Sequence, residues 1–230
     1  MQNEQHSSPE KIKPRFVLGR FLIPLVIQTS AMLTGAFFAV DTEANGKLVT
    51  LETEPVNLSK FIRNSSNQVS YNISSFKKLE EIPGWKDLPG TPVPCPRNKQ
   101  PRNRKNQCNP DAKLLDPDLT LYVILEPPTP EKTGDAPTPW VAVRLSSDRP
   151  TELGENQVMI KGRTSEDLVE YEGEKFDLMR SQREEILASL DLTDQEEKLE
   201  PLIIQLKVNP RGKAVPVNLW VGDRNYSLSN

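Results

Sequence analysis

Phe21-Leu-Ile-Pro-Leu-Val-Ile-Gln-Thr-Ser-Ala-Met-Leu-Thr-Gly-Ala-Phe-Phe-Ala-Val40 is a run of twenty residues without a charge. As a helix rising about 1.5 Å per residue it would measure about 30 Å, the hydrocarbon thickness of a bilayer. Its polar interruptions are Gln28, Thr29, Ser30 and Thr34. Hydroxyls can bond back to the helix's own carbonyls, which leaves Gln28 as the costly group in lipid. Pro24 falls near the start, where a missing N–H matters least. Lys11, Lys13, Arg15 and Arg20 precede the run against Glu4 and Glu10, and Asp41 and Glu43 follow it. Positive charge kept on the cytoplasmic side predicts a cytoplasmic tail over 1–20 and a transmembrane anchor over 21–40. The C-terminal domain is then periplasmic, lumenal or extracellular. A cleaved signal peptide is the rival reading, but its apolar core would be about 7 to 15 residues long. A cut after Ala39 would also put Phe37 where a small residue is needed.

Residues 46–230 are long enough for one domain with a sizeable core. The chain has 29 basic and 32 acidic residues; four and two of them lie in residues 1–40, leaving 25 against 30 in residues 41–230, net −5. Twenty-one prolines and eleven glycines point to many turns and short strands rather than a helical bundle. The expected class is α+β, a mainly antiparallel β domain with one amphipathic helix. Lys47–Val56 reads as a strand stopped by Pro55, and Gln68–Ser74 alternates apolar Val69, Tyr71 and Ile73 with polar partners. Trp85, in a turn-rich connector, is expected to plug the core. Leu119–Leu125 is the most apolar strand and is expected to be central. Trp140–Leu145, Gln157–Lys161 and Val169–Leu178 read as further strands. The helix is Met179–Leu190, with Met179, Arg183, Ile186, Leu187 and Leu190 at spacings of three and four. Two apolar runs around Asn209-Pro-Arg-Gly212 predict a closing hairpin, glycine taking the positive-φ position.

The stretch Thr53-Glu-Pro-Val-Asn-Leu-Ser-Lys-Phe-Ile-Arg63, followed by Val69-Ser-Tyr71 and Asn72-Ile-Ser74, resembles the opening of the GDYXXLXY family. These are bacterial membrane-anchored proteins whose members carry P-V-D-x-x-x-x-x-R-G-D-Y-x-x-L-x-Y-x-I-S just after an N-terminal span. Arg63 and Tyr71 match that pattern, and Val69 stands for the leucine. Asn64, Ser65 and Ser66 stand where Gly-Asp-Tyr is expected. The likeness continues through Pro83-Gly-Trp85, Leu121–Glu126, Gly154–Arg163, then Tyr171, Glu174 and Phe176, and Val208–Val215. It implies an integral membrane protein as partner; independently of it, no cofactor is expected.

Enzymatic chemistry finds little foothold. His6, the single histidine, precedes the apolar run, so no Ser-His-Asp or Cys-His pair and no His-rich metal site can form in the domain. There is no P-loop, G-x-G-x-x-G or G-x-S-x-G. A serine-lysine hydrolase would need its serine just beyond the membrane, whereas Ser30-Ala-Met32 lies inside the run. No catalytic residue and no metal ligand is expected. Glu170, Glu172 and Glu174 read as a solvated strand face, and Asp116 and Asp118 around Pro117 as a turn.

Cys95 and Cys108 are the best site-like pair, and an oxidising compartment would permit a disulfide. Closing a loop of about 14 residues would contribute about 3 kcal/mol through the unfolded state. Between them stand Arg97, Lys99, Arg102, Arg104 and Lys105 with no acid. Two readings stay open: a basic finger touching anionic lipid or an acidic protein surface, and a solvated insertion kept soluble by its charge. A protein anchored outward is not expected to meet nucleic acid. The leading function is a non-enzymatic membrane-anchored module that docks on, or helps assemble, a membrane protein complex. The alternative is a membrane-tethered hydrolase or processing factor without a recognisable motif.

Overall fold

A computed structural model describes residues 23–29, 42, 45–64, 67–93, 113–129, 136–190 and 199–228. The chain divides into an N-terminal unit, residues 1–40, and a second unit, residues 41–230. In the first, residues 23–29 are helical. The Thr29 hydroxyl donates to the Leu25 carbonyl at 2.6 Å, the back-bonding expected of a hydroxyl in an apolar helix. Seven of the twenty residues of the apolar run are thus described, and among the described residues no helix is long and apolar enough to cross a membrane.

The second unit opens with β1 (Lys47–Glu52), β2 (Val56–Asn57), α1 (Leu58–Arg63), β3 (Asn67–Gln68), α2 (Phe76–Leu79), β4 (Gly90–Pro92) and β5 (Lys113–Leu115). It continues with β6 (Thr120–Glu126), β7 (Val141–Ser146), β8 (Val158–Ser165), β9 (Leu168–Tyr171), β10 (Lys175–Phe176) and α3 (Arg180–Ser189). β11 (Leu199–Glu200), β12 (Ile203–Val208), β13 (Ala214–Val221) and β14 (Arg224–Ser227) close it. Two four-stranded sheets dominate, in the orders β1-β12-β13-β14 and β7-β6-β8-β9, and every pairing in them is antiparallel.

The expected central strand is central: β6 lies between β7 and β8, and Leu121, Val123, Ile124 and Leu125 are fully buried. Three consecutive buried residues break simple alternation because the β6–β7 register shifts between Ile124 and Leu125, where the ladder bends. A second shift, between Gln205 and Leu206, accommodates Pro216 in the middle of its sheet, where a proline is tolerated only at an interrupted ladder. Trp85 is 1 % exposed, its ring 5.8 Å from that of Phe76. Burying a side chain of this size stabilises by about 1.5–3 kcal/mol or more. The Asn209–Gly212 hairpin forms as expected, with Gly212 at φ 82°. Asp118 sits in the expected turn at φ 58°.

Four sequence expectations are corrected. Gln68–Ser74 is not a continuous strand: only Asn67–Gln68 pairs regularly, and Tyr71 and Ser75 make isolated bridges to two different sheets. Val169–Leu178 is two strands, β9 and β10, because Gly173 turns the chain at φ 92°. The amphipathic helix exists as α3, yet α1 and α2 accompany it; Ile186 is its buried residue and Met179 is exposed. Glu174 does not belong to a solvated face with Glu170 and Glu172, because it is 6 % exposed.

Candidate functional site

Residues 67–75 thread between the two sheets and bond to both. Tyr71 bridges Thr53, which continues β1, while Ser75 bridges Leu168 at the start of β9. Four backbone hydrogen bonds tighten the stitch: Asn72 N to Glu52 O at 2.8 Å, Glu54 N to Ser70 O at 2.7 Å, Val69 N to Glu174 O at 2.9 Å and Val169 N to Ser74 O at 2.8 Å. A segment with so little regular pairing must satisfy its buried polar groups one by one.

The side chains do so reciprocally. Tyr71 donates its hydroxyl to the Gly173 carbonyl at 2.7 Å, and Tyr171 donates to the Ile73 carbonyl at 2.8 Å. The two rings lie 6.2 Å apart at 55°. Gly162, across from Tyr171 in the β8–β9 ladder, makes room for that ring: a Cβ there would come within 2.8 Å of it. Ser74 donates its hydroxyl to Glu174 at 3.0 Å and accepts the Tyr71 amide at 3.1 Å. Burial raises the Glu174 carboxyl from 4.5 to about 7; the bonds from Ser74 and the Tyr171 backbone pull the other way, Glu170 adds to the rise and Lys175 opposes it. Burial first, and the nearby Glu174 second, push both tyrosines well above their ordinary range.

A second knot holds the start of the stitch. Buried Asn67 donates to the Phe61 carbonyl at 2.6 Å. Arg183, placed by its spacing on the apolar side of α3, turns inward to the carbonyls of Ile62 (3.2 Å), Leu178 (3.0 Å) and Asn64, and to Asn67 Oδ1 (3.0 Å). The guanidinium fork thereby binds α3 to the turn after α1.

The structure brings Val69 and Tyr71 into this interior, 2 % and 0 % exposed, and leaves Arg63 exposed on the last turn of α1. Cys95, Cys108 and the basic residues Arg97, Lys99, Arg102, Arg104 and Lys105 lie outside the described residues. The strands on either side are described: β4 pairs with β5, setting Pro92 opposite Lys113. Among the described residues no group of three or more His, Cys, Asp or Glu side chains could hold a metal ion.

The chain matches a family model described as GDYXXLXY protein over residues 28–219. It belongs to the GDYXXLXY family. No curated protein and no solved structure matches it. In this member the tail of the family signature, Val69 to Ser74, builds the stitch. Of the three positions where Gly-Asp-Tyr is expected, Asn64 is described, and its carbonyl accepts Arg183.

Sequence reading missed Ser74, Tyr171, Glu174, Asn67 and Arg183 as one connected system. A signal for Glu174 was present. It shares the even parity of buried Phe176 and Leu178, whereas buried Val169 and Tyr171 are odd. The parity changes across Gly173, which is where the chain turns.

Proposed function

We propose that this GDYXXLXY protein is a non-enzymatic, single-pass membrane module whose exported domain docks on an integral membrane protein. The observation that carries the reading is the use made of the family signature. Tyr71, Ser74 and their partners Tyr171 and Glu174 are buried and bonded to one another or to backbone. A signature that builds the interior supports a scaffold, because a reaction centre needs groups that a substrate can reach. The charge asymmetry around Phe21–Val40 supports the anchor and its orientation. A rival hydrolase or processing factor would have to draw on Ser74 and Glu174, and the burial of both, 1 % and 6 % exposed, speaks against it.

The basic segment between Cys95 and Cys108 is the proposed contact with an acidic protein surface or anionic lipid, closed by a disulfide. The β4–β5 pairing supports it by holding the two ends of the excursion together. The test is purification of the full chain, tagged after Asn230, from membranes in mild detergent. One membrane protein retained in fixed ratio is expected, with residues 1–20 still present and Cys95 linked to Cys108 on non-reducing peptide mapping. Neutralising Arg97, Lys99, Arg102, Arg104 and Lys105 should release that partner, as should added salt. A mature N-terminus near Asp41 would overturn the anchor. A chain that purifies alone and turns over added substrates would overturn the scaffold.

A further inference from the structure

We propose that the root of the domain, the face around Thr42, rests on the lipid bilayer and meets it by apolar contact. The proposal rests on the anchored reading above. Val40 ends the apolar run and Thr42 follows two residues later, a reach of at most about 7 Å. Thr42 is itself fixed: it is 1 % exposed, its hydroxyl accepts Asn209 Nδ2 at 2.8 Å, and its carbonyl accepts the Gly46 amide at 2.8 Å. On the anchored reading Thr42, and through it the Asn209 turn, follows directly in the chain on the end of the apolar run.

Beside that turn lies a cleft whose lining is mostly apolar. It measures about 250 Å³ and opens beside Asn45 and Asn209, lined by Leu153, Val158, Met159, Val208 and Pro210. Leu153 is 38 % exposed. The Lys47 ammonium stands 5.9 Å above the ring of half-buried Trp140, an aromatic with a snorkelling cation of the kind favoured at the membrane–water interface. Lys47 is the one charged residue among those lining the cleft. Lipid contact here is consequently hydrophobic rather than electrostatic, in contrast to the basic segment between the cysteines.

The experiment places a photocrosslinking residue at Leu153 of the full chain and, in a second protein, at Asp223. Asp223 lies in the β13–β14 turn, about 26 Å along β13 from the root at about 3.3 Å per residue. Both proteins are reconstituted in phosphatidylcholine vesicles and irradiated, and adducts are read by mass spectrometry. Lipid adducts several-fold more abundant at 153 than at 223, unchanged by high salt or by adding phosphatidylglycerol, are expected. Equal adducts at the two positions, or adducts at 153 that vanish in salt, overturn the proposal. So does crosslinking at 153 chiefly to a polypeptide when native membranes are irradiated. A chain that fails to float with the vesicles defeats the anchored reading itself, whereas a vesicle-bound chain without the Leu153 adduct defeats this inference alone.

Discussion

The stitch at 67–75 and the turn at 209–213 both tie one four-stranded sheet to the other by lending side-chain atoms to irregular backbone. In the stitch the lenders are Tyr71, Ser74, Tyr171 and Glu174. In the turn a single residue serves: Asn209 Oδ1 accepts the amides of Arg211 and Lys213 at 2.9 and 3.1 Å, Nδ2 holds Thr42, and the Gly212 carbonyl accepts Lys161 N of β8 at 2.9 Å. One joint contains buried ionisable groups and the other is built from a neutral amide, a hydroxyl and backbone. The same architectural task is thus done once with chemistry that responds to pH and once with chemistry that does not.

Three substitutions separate the joints. Tyr71→Ala removes a fully buried ring and leaves the Gly173 carbonyl bare; a loss of about 3–5 kcal/mol in denaturant unfolding is expected. A loss below about 1 kcal/mol would mean the stitch does not hold the sheets together. Next comes the pH response. A carboxyl raised from 4.5 to about 7 by the fold contributes stability that is complete below its unfolded value and is lost as the pH climbs through about 7. The wild type should therefore lose up to about 3 kcal/mol between acid and mildly alkaline buffer. Glu174→Gln should flatten that slope while keeping an acceptor for Ser74, and an unchanged slope would remove Glu174 as its source. The smallest effect is expected for Asn209→Ala, about 2 kcal/mol from the lost turn bonds. Its cost should be the same from about pH 5 to about pH 8, and a pH-dependent cost would erase the contrast.

Regular pairing was legible in the sequence because it repeats. Leu119–Leu125, Ile203–Val208 and the Asn209–Gly212 turn follow from runs of apolar residues and one positive-φ glycine. The stitch was legible only in part as burial: the alternation marked Val69 and Tyr71 as inward correctly, but Ile73 is half-buried, polar Ser74 beside it is buried, and the partner was named wrongly. A period of two fixes which side chains point inward, and the choice between one ladder and two separate bridges depends on strands a hundred residues away. Glu174 was misread for the same reason, since its partners Ser74 and Tyr71 are distant in sequence. Arg183 was read as part of the apolar stripe of α3; its spacing gave the face, and nothing local revealed the carbonyls waiting there. The two extra helices are short, six and four residues, and only α1 has a side-chain cap, Asn57 accepting the Lys60 amide at 2.9 Å.

The ribbon of β4 and β5 has a consequence for how this protein can vary. Pro92 and Lys113 face each other across it, so the segment of twenty residues between them in the sequence begins and ends at one point. Closing such an excursion costs entropy that grows only with the logarithm of its length, about 0.6 kcal/mol for each doubling. The ribbon therefore works as a socket. Another segment, longer, shorter or of opposite charge, can be plugged in between the same two strands while the stitch stays as it is, and the domain can change what it addresses without changing how it folds.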